Sequence, residues 1–358
     1  MVKHFVVTRL GLGVYDTHRL LKLIDLFEAV TLSSLSHQSS QDFICLIGID
    51  ADMPSEAHKK LKALLAGRSN IFLVPIDVTG LVHVRIGGFD WIWDHYQDFI
   101  LANGLLDQPH DYVVTSVIDA DDAWQQNVVA TINQLAIERI PGLRDAEKDR
   151  NTWLRHSSGI AITFPHGYVW FIRENKIWHL LGHEFHSMAV FIVARFSSGI
   201  SACSSRHSQW RSYSNVLAFE VLPIETNSPM WVYARHDEAV GAWDSKPALR
   251  INADVEARLT NNLGIDLMKV QQWCLAYPSE QAGADYSGKR VADQYDRFFT
   301  IAAINRKIRV LIDRADRDPS AEPELRETIA RCEAERAKIV AALRSTETRP
   351  SLATHFDE

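Results

Sequence analysis

The first 130 residues alternate between short, continuous apolar runs and longer segments whose apolar residues recur at three- and four-residue spacing. Four buried β-strands are predicted by the apolar runs at residues 4–8, 43–49, 71–76 and 112–118. The spaced segments predict helices from Thr17, taken as the N-cap, and at residues 55–66, 89–103 and 123–135. Buried strands that alternate with helices form parallel sheets, so this part predicts a Rossmann-like α/β unit.

The middle of the chain, roughly residues 151–236, carries shorter strand signals. Turn residues separate the strand candidates at residues 160–164, 169–173, 190–195 and 216–222, and Asn175 with Lys176 predicts a hairpin turn. This pattern predicts a mixed or antiparallel extension of the first sheet.

Residues 289–345 are rich in charge and carry two heptad-like apolar seams, separated by residues 318–323. They predict an antiparallel helical hairpin with coiled-coil character. We therefore expect an α/β domain over residues 1–250, a linker with a helix over 251–288, the hairpin over 289–345 and a flexible tail over 346–358.

Composition narrows the class of protein. The 358 residues are 46% hydrophobic with a net charge of −7, which excludes a disordered chain and a broad nucleic-acid-binding surface. No apolar run is long enough to cross a bilayer, and the N-terminus lacks a signal-peptide pattern. Four scattered cysteines without a C-x-x-C pair indicate reduced thiols. We expect a cytoplasmic protein.

The strongest chemical signal is the acidic run Asp119-Ala120-Asp121-Asp122 at the end of the fourth predicted strand. Ligands bind at the carboxyl ends of strands in such sheets. Carboxylates this close repel one another unless a cation compensates, and their hard oxygens suit Mg²⁺ or Mn²⁺. The alternative is a solvated turn that caps the following helix.

Several segments together resemble the GT-A class of nucleotide-sugar-dependent glycosyltransferases, and more closely the bacterial rhamnosyltransferase family. The GT-A resemblance rests on residues 31–38 with Asp42 and Phe43, and on Asp119-Ala120-Asp121 as a D-x-D motif. The family resemblance adds residues 6–9, 114–123, 164–168 and 229–236, and it covers roughly residues 4–240. Ser116 departs from the family pattern, which has a basic residue there. The resemblance implies a GT-A mixed sheet with flanking helices.

The resemblance also implies roles for individual residues. It implies Mn²⁺ or Mg²⁺ held by Asp119, Asp121 and His236, with His236 returning to the metal from a late strand. It places Thr8, Arg9, Asp50 and Asp119 against the nucleotide donor, Arg9 on phosphate and Asp50 on base or ribose. The alternatives are an exposed loop histidine at His236 and ordinary polarity at the strand ends.

A base for the acceptor hydroxyl is predicted at Glu184 or Asp90, because an inverting transfer needs a carboxylate to take the proton. The segment His183-Glu184-Phe185-His186 is not a zinc-protease motif, since position 187 is Ser. An ordinary surface role for Glu184 stays open.

We therefore expect a metal-dependent glycosyltransferase that moves rhamnose or another hexose from a nucleotide diphosphate to a glycan or lipid-linked glycan acceptor. A nucleotidyltransferase of related topology is one alternative, and a non-enzymatic assembly protein is another. Residues 289–345 would support self-association, binding of a partner protein or peripheral contact with the inner face of a membrane. No nucleic-acid partner is expected.

Overall fold

The computed structural model describes residues 2–80, 90–108, 111–148, 159–181, 189–204, 219–237, 248–278, 300–301, 303–312, 314–315 and 322–345. Its strands are β1 (Lys3–Arg9), β2 (Ile44–Asp50), β3 (Ile71–Ile76), β4 (Tyr112–Val117), β5 (Ala123–Trp124), β6 (Ile160–Thr163), β7 (Gly167–Phe171), β8 (Lys176–Leu180), β9 (Val190–Arg195), β10 (Glu220–Pro223), β11 (Trp231–Arg235) and β12 (Leu249–Arg250). Its α-helices are α1 (Thr17–Phe27), α2 (Ser33–Ser36), α3 (Ser55–Leu64), α4 (Asp90–Ala102), α5 (Val128–Lys148), α6 (Ala253–Asn261), α7 (Leu267–Ala276) and α8 (Glu322–Ser345).

A seven-stranded mixed sheet forms the centre of the molecule, in the order β10-β6-β9-β4-β1-β2-β3. Strands β1 to β4 are parallel neighbours, whereas β9 runs antiparallel to both β4 and β6. The predicted mixed α/β architecture with flanking helices is confirmed. The carboxyl ends of β1 to β4 meet at one edge, which is where the acidic run lies.

A separate five-stranded sheet, in the order β12-β8-β7-β11-β5, corrects the expectation of one extended sheet. The hairpin of β7 and β8 is confirmed, with Asn175 in the left-handed conformation at its turn. Residues 123–124 are not helical as predicted, because they pair antiparallel with Trp231 and Val232 of β11. Helix α5 begins only at Val128.

The segment after β1 also departs from the predicted continuous helix. Asp16, not Thr17, caps α1, since its Oδ1 accepts from the Arg19 N–H at 2.8 Å. Residues Glu28–Leu32 form a π-helical turn between α1 and α2. Such turns change the direction of the following side chains and are frequent at functional sites.

The C-terminal helices pack against the α/β domain as well as against each other. Residues 303–312 are helical, and Ile304 and Ile308 share a buried cluster with Cys332 of α8. The antiparallel hairpin stays a prediction, because its connecting residues lie outside the described part of the chain, as do residues 346–358. All four cysteines are free thiols. Across the described helices, none has both the length and the apolar character that a bilayer crossing requires.

The junction between the two sheets gives a test of the packing. A methyl group at Gly167 of β7 would overlap the indole ring of Trp231, which is fully buried and donates to the Phe164 carbonyl at 2.8 Å. We predict that Gly167→Ala lowers the free energy of unfolding by about 1–3 kcal/mol, measured by urea denaturation.

Gly142→Ala is the matched control, because a methyl group there has no neighbour within 4 Å in the middle of α5. This variant should gain up to about 1 kcal/mol of stability from helix propensity. Equal stabilities of the two variants would contradict the packing described at Gly167.

Candidate active site

The acidic run forms a tight turn that connects the two sheets. It follows β4 at the carboxyl edge of the parallel strands and precedes β5 of the second sheet. Asp122 is fully buried, and its Oδ1 accepts from the backbone N–H of Ala234 in β11 at 2.9 Å. This bond holds the turn against β11, so that Asp121 faces the residue that follows that strand.

That residue is His236. Its Nε2 lies 2.8 Å from Asp121 Oδ2, although the two residues are 115 positions apart in the sequence. The His236 side chain is 1% exposed and the Asp121 side chain 24% exposed. The imidazole is therefore held by the protein, whereas the carboxylate also reaches solvent.

The π-helical turn fixes the backbone of the acidic run from the other side. The hydroxyl of Thr31, within the turn, donates to the carbonyls of Asp119 and Asp122 at 3.2 and 2.8 Å. Ser34 both donates to the carbonyl and accepts from the N–H of Trp124, each at 2.9 Å. These buried bonds preorganise the turn before any ligand binds.

Asp122, at the buried end of the acidic run, lies in an environment that disfavours a charged carboxylate. Burial, followed by the charges of Asp121 and Asp119, raises the pKa of Asp122 well above its ordinary value. Asp122 Oδ2 has no hydrogen-bond partner among the described residues. A cation bound at Asp119 and Asp121 would offset the repulsion that these carboxylates exert on one another.

Asp121 and His236 are joined by a hydrogen bond in this structure, and their spacing is also compatible with two neighbouring ligands of one divalent cation. Metal–oxygen bonds of about 2.1 Å place adjacent octahedral ligands about 3 Å apart, close to the separation of these two atoms. Among the residues described, no group of three His, Cys, Asp or Glu side chains is arranged to hold a metal by itself. A cation that takes one or two carboxylates and completes its shell with water and substrate phosphate needs no such group.

Asp119 lies on the side of the run that faces β1. Its Oδ1 is 3.7 Å from the guanidinium of Arg9, and both side chains are about one quarter exposed. Thr8, one residue earlier, is buried within the sheet, and its carbonyl accepts from the Tyr96 hydroxyl at 2.7 Å. Donor contacts by Arg9, Asp119 and Thr8 stay predictions. The side chains of Arg9 and Asp119 both reach solvent, whereas Thr8 is buried.

Asp50 orders the loop that follows β1. Its Oδ2 accepts from the Gly13 N–H and the Tyr15 hydroxyl, both at 3.0 Å, and its Oδ1 accepts from the Asp52 N–H at 2.9 Å. Gly13 has φ = 70°, a conformation that side chains disfavour. Burial raises the pKa of Asp50. The observed role of Asp50 is to shape this loop, and its contact with base or ribose stays a prediction.

A cluster that the sequence did not reveal supports His236. The ring of Trp273 in α7 meets the imidazole edge-on, with centroids 5.7 Å apart. Asp237, the next residue, pairs with Lys22 at 2.6 Å and Arg173 at 3.3 Å. Burial alone would raise the pKa of Asp237. The hydrogen bond from Lys22 and its positive charge outweigh this effect and lower the pKa below its ordinary value. In the sequence, the one indication of this cluster is that Asp237 directly follows His236.

The structure does not describe the side chains of the two predicted bases. Glu184 lies outside the described residues. Asp90 is the first residue of α4, and its side chain is not part of what the structure describes. Both assignments stay predictions.

Ser116, where the resemblance led us to expect a basic residue, belongs to a buried polar network beneath the acidic run. Its hydroxyl lies 2.9 Å from His4 Nε2, and His4 Nδ1 lies 2.9 Å from Asn133 Oδ1 of α5. The Ser116 side chain therefore joins β4 to β1 and α5. Ser116 is fully buried, so we expect it to make no contact with a donor bound at the surface.

Comparisons with known proteins agree with the resemblance stated from the sequence. A family model described as "Putative rhamnosyl transferase" matches residues 12–242, which include Asp119, Asp121 and His236. No curated protein matches the sequence at a significant level.

Solved structures show weaker likeness. A Desulfovibrio desulfuricans protein described as a "putative nucleotide-diphospho-sugar transferase" is 11% identical over 76% of this chain and 99% of its own, with a TM-score of 0.35. The S. aureus TarS fragment solved with UDP is 10% identical over 97% of this chain and 91% of its own, with a TM-score of 0.33.

The His4 network generates a pH prediction. Burial lowers the pKa of His4 to about 4, against an ordinary value of 6.5. The unfolded chain therefore takes up the proton first, so the stability contribution is complete above pH 6.5 and is lost as pH falls towards 4. Between pH 7 and pH 5, the wild-type protein should lose about 2 kcal/mol more unfolding free energy than His4→Gln.

Urea denaturation at the two pH values measures this difference, and all other titrating groups are common to both proteins. An identical pH dependence of the two proteins would show that His4 is not buried in its neutral form.

Proposed function

Since this chain belongs to the rhamnosyl transferase family and is a glycosyltransferase, we propose that it acts with Mn²⁺ or Mg²⁺ on a nucleotide-diphosphate sugar. The sugar passes to a hydroxyl of a glycan or lipid-linked glycan. The family description favours a deoxyhexose donor such as dTDP-rhamnose. The observation that carries the proposal is the 2.8 Å approach of Asp121 and His236 at the carboxyl edge of the parallel strands.

The side chains at the carboxyl edge of the parallel strands have distinct roles in the proposed reaction. Asp121 and His236 hold the cation, and Asp119 binds it directly or orients the donor ribose. A cation held there would stabilise the negative charge that develops on the departing diphosphate. Arg9 offers a second positive group to the same phosphates.

The fixed backbone of the acidic run contributes through preorganisation. Thr31, Ser34 and Ala234 hold it from two elements, so the carboxylates need little rearrangement when the donor binds. Transfer also requires that the acceptor hydroxyl lose its proton. We assign this step to Glu184 or Asp90, and a positioned base contributes on the order of 10²–10⁴ in rate.

The metal assignment is tested by the binding of Mn²⁺ with UDP or dTDP, measured by isothermal titration calorimetry. Asp121→Ala and His236→Ala should each weaken Mn²⁺-dependent nucleotide binding by at least about tenfold, because each removes a ligand atom. Hydrolysis of the nucleotide-sugar donor should fall in parallel.

Asp42→Ala is the control, since it removes one negative charge from an exposed position before β2. It should bind Mn²⁺ and nucleotide like the wild-type protein. Unchanged binding in both site variants would refute this metal site. Release of pyrophosphate from a nucleoside triphosphate would favour a nucleotidyltransferase instead.

A further inference from the structure

The C-terminal helices touch the α/β domain at the edge where β3 ends. Ile301 is fully buried in the apolar cluster that contains Val74, Ile76 and Val78, and Ile339 and Val340 of α8 pack against the same cluster. These contacts attach both C-terminal segments to the α/β domain, whose strand β3 continues into the loop at residues 77–80. An isolated assembly module would not require such contacts.

One polar side chain joins the two C-terminal segments to this loop. Asn305 is only 7% exposed, and its Nδ2 donates to the Thr79 carbonyl at 3.0 Å. Its Oδ1 accepts from the guanidinium of Arg336 in α8 at 2.9 Å. Because a buried amide that loses a partner is strongly disfavoured, Asn305 couples the position of residues 77–80 to both segments.

The loop itself is a tight turn directly after β3. Asp77 Oδ1 accepts from the Thr79 N–H at 2.9 Å, the Thr79 hydroxyl at 2.7 Å and the Gly80 N–H at 3.0 Å. With its N–H and hydroxyl held by Asp77 and its carbonyl held by Asn305, Thr79 is bound on both sides.

This loop is continuous with the proposed donor site. The Ala51 N–H donates to the Ile76 carbonyl at 2.9 Å, which links the turn after β2 to the end of β3. Asp50, at the end of β2, in turn holds Gly13 and Tyr15 of the loop after β1. Hydrogen bonds therefore connect the ends of three adjacent parallel strands, and Arg9 is the last residue of the first of these strands.

We infer that Asn305 is a positioning residue for the donor site, through which the C-terminal helices fix the loop at residues 77–80 as part of the nucleotide-binding edge. This inference rests on the proposed function. Asn305 acts through Thr79 and need not touch the substrate.

Asn305→Asp removes the bond to the loop. The variant keeps the oxygen that accepts from Arg336 and replaces the donating Nδ2 by an oxygen that repels the Thr79 carbonyl. In the full-length protein, amide hydrogen exchange of the peptide containing residues 77–80 should accelerate by about tenfold. Mn²⁺-dependent binding of UDP or dTDP should weaken several-fold, with a higher KM for the sugar donor and an unchanged kcat.

Arg331→Gln is the matched control, because Arg331 lies on the same helix and bonds to Thr328 within that helix at 3.2 Å. It should change neither the exchange nor the binding. Unchanged exchange in Asn305→Asp would overturn the positioning role. Faster exchange with unaltered nucleotide affinity would overturn the connection to the donor site. Self-association that weakens in Asn305→Asp while both other readouts stay at wild-type values would show an assembly surface instead.

The experiments distinguish a failure of the proposed function from a failure of the positioning role of Asn305. Wild-type protein that binds neither nucleotide would refute the proposed function. The exchange measurement needs no nucleotide, so it would still decide whether Asn305 holds the loop.

Discussion

A buried carboxyl group between two sheets governs the arrangement of the candidate site. Asp122 accepts a hydrogen bond from Ala234 through one oxygen, while its other oxygen is unpaired among the described residues. Burial of a carboxyl group without full hydrogen bonding is costly, and neighbouring Asp119 and Asp121 add to the cost. The turn nevertheless keeps this geometry because Thr31, Ser34 and β11 hold its backbone. The turn therefore lowers the folding stability but keeps the carboxylates in a fixed arrangement, which is typical of functional sites.

The same constraint brings residues from distant parts of the chain together. Pairing of β5 with β11 continues the contact that Asp122 begins, and it places His236 beside Asp121. Behind His236, Trp273 and the ion pairs of Asp237 with Lys22 and Arg173 limit the freedom of the imidazole. The carboxyl edge of β1 to β3 supplies Arg9, the Asp50-ordered loop and the loop held by Asn305. Two supports, one from α7 and one from the C-terminal helices, thus converge on a single edge of the sheet.

Local patterns were sufficient for the parallel half of the fold. The apolar runs of β1, β2 and β4 are continuous because both faces of these strands are buried, and the edge strand β3 is apolar although partly exposed. The positions of these strands and the acidic run after β4 could therefore be predicted. The second sheet could be predicted only for its β7–β8 hairpin, since the two-residue strand β5 is defined by a partner more than 100 positions away. The π-helical turn at Glu28–Leu32 likewise has no local signal, because tertiary bonds from Thr31 stabilise it. Asp121 and His236 were predicted through family resemblance, whereas Trp273, Lys22 and Arg173 required the folded structure.

We propose that Asp121 and His236 bind one divalent cation together. Anomalous diffraction from crystals grown with Mn²⁺ and a nucleoside diphosphate tests it most directly. We predict one strong peak within coordination distance of Asp121 Oδ2 and His236 Nε2, with diphosphate oxygens completing the shell. A peak at another position, or nucleotide bound at this edge without any metal peak, would contradict it.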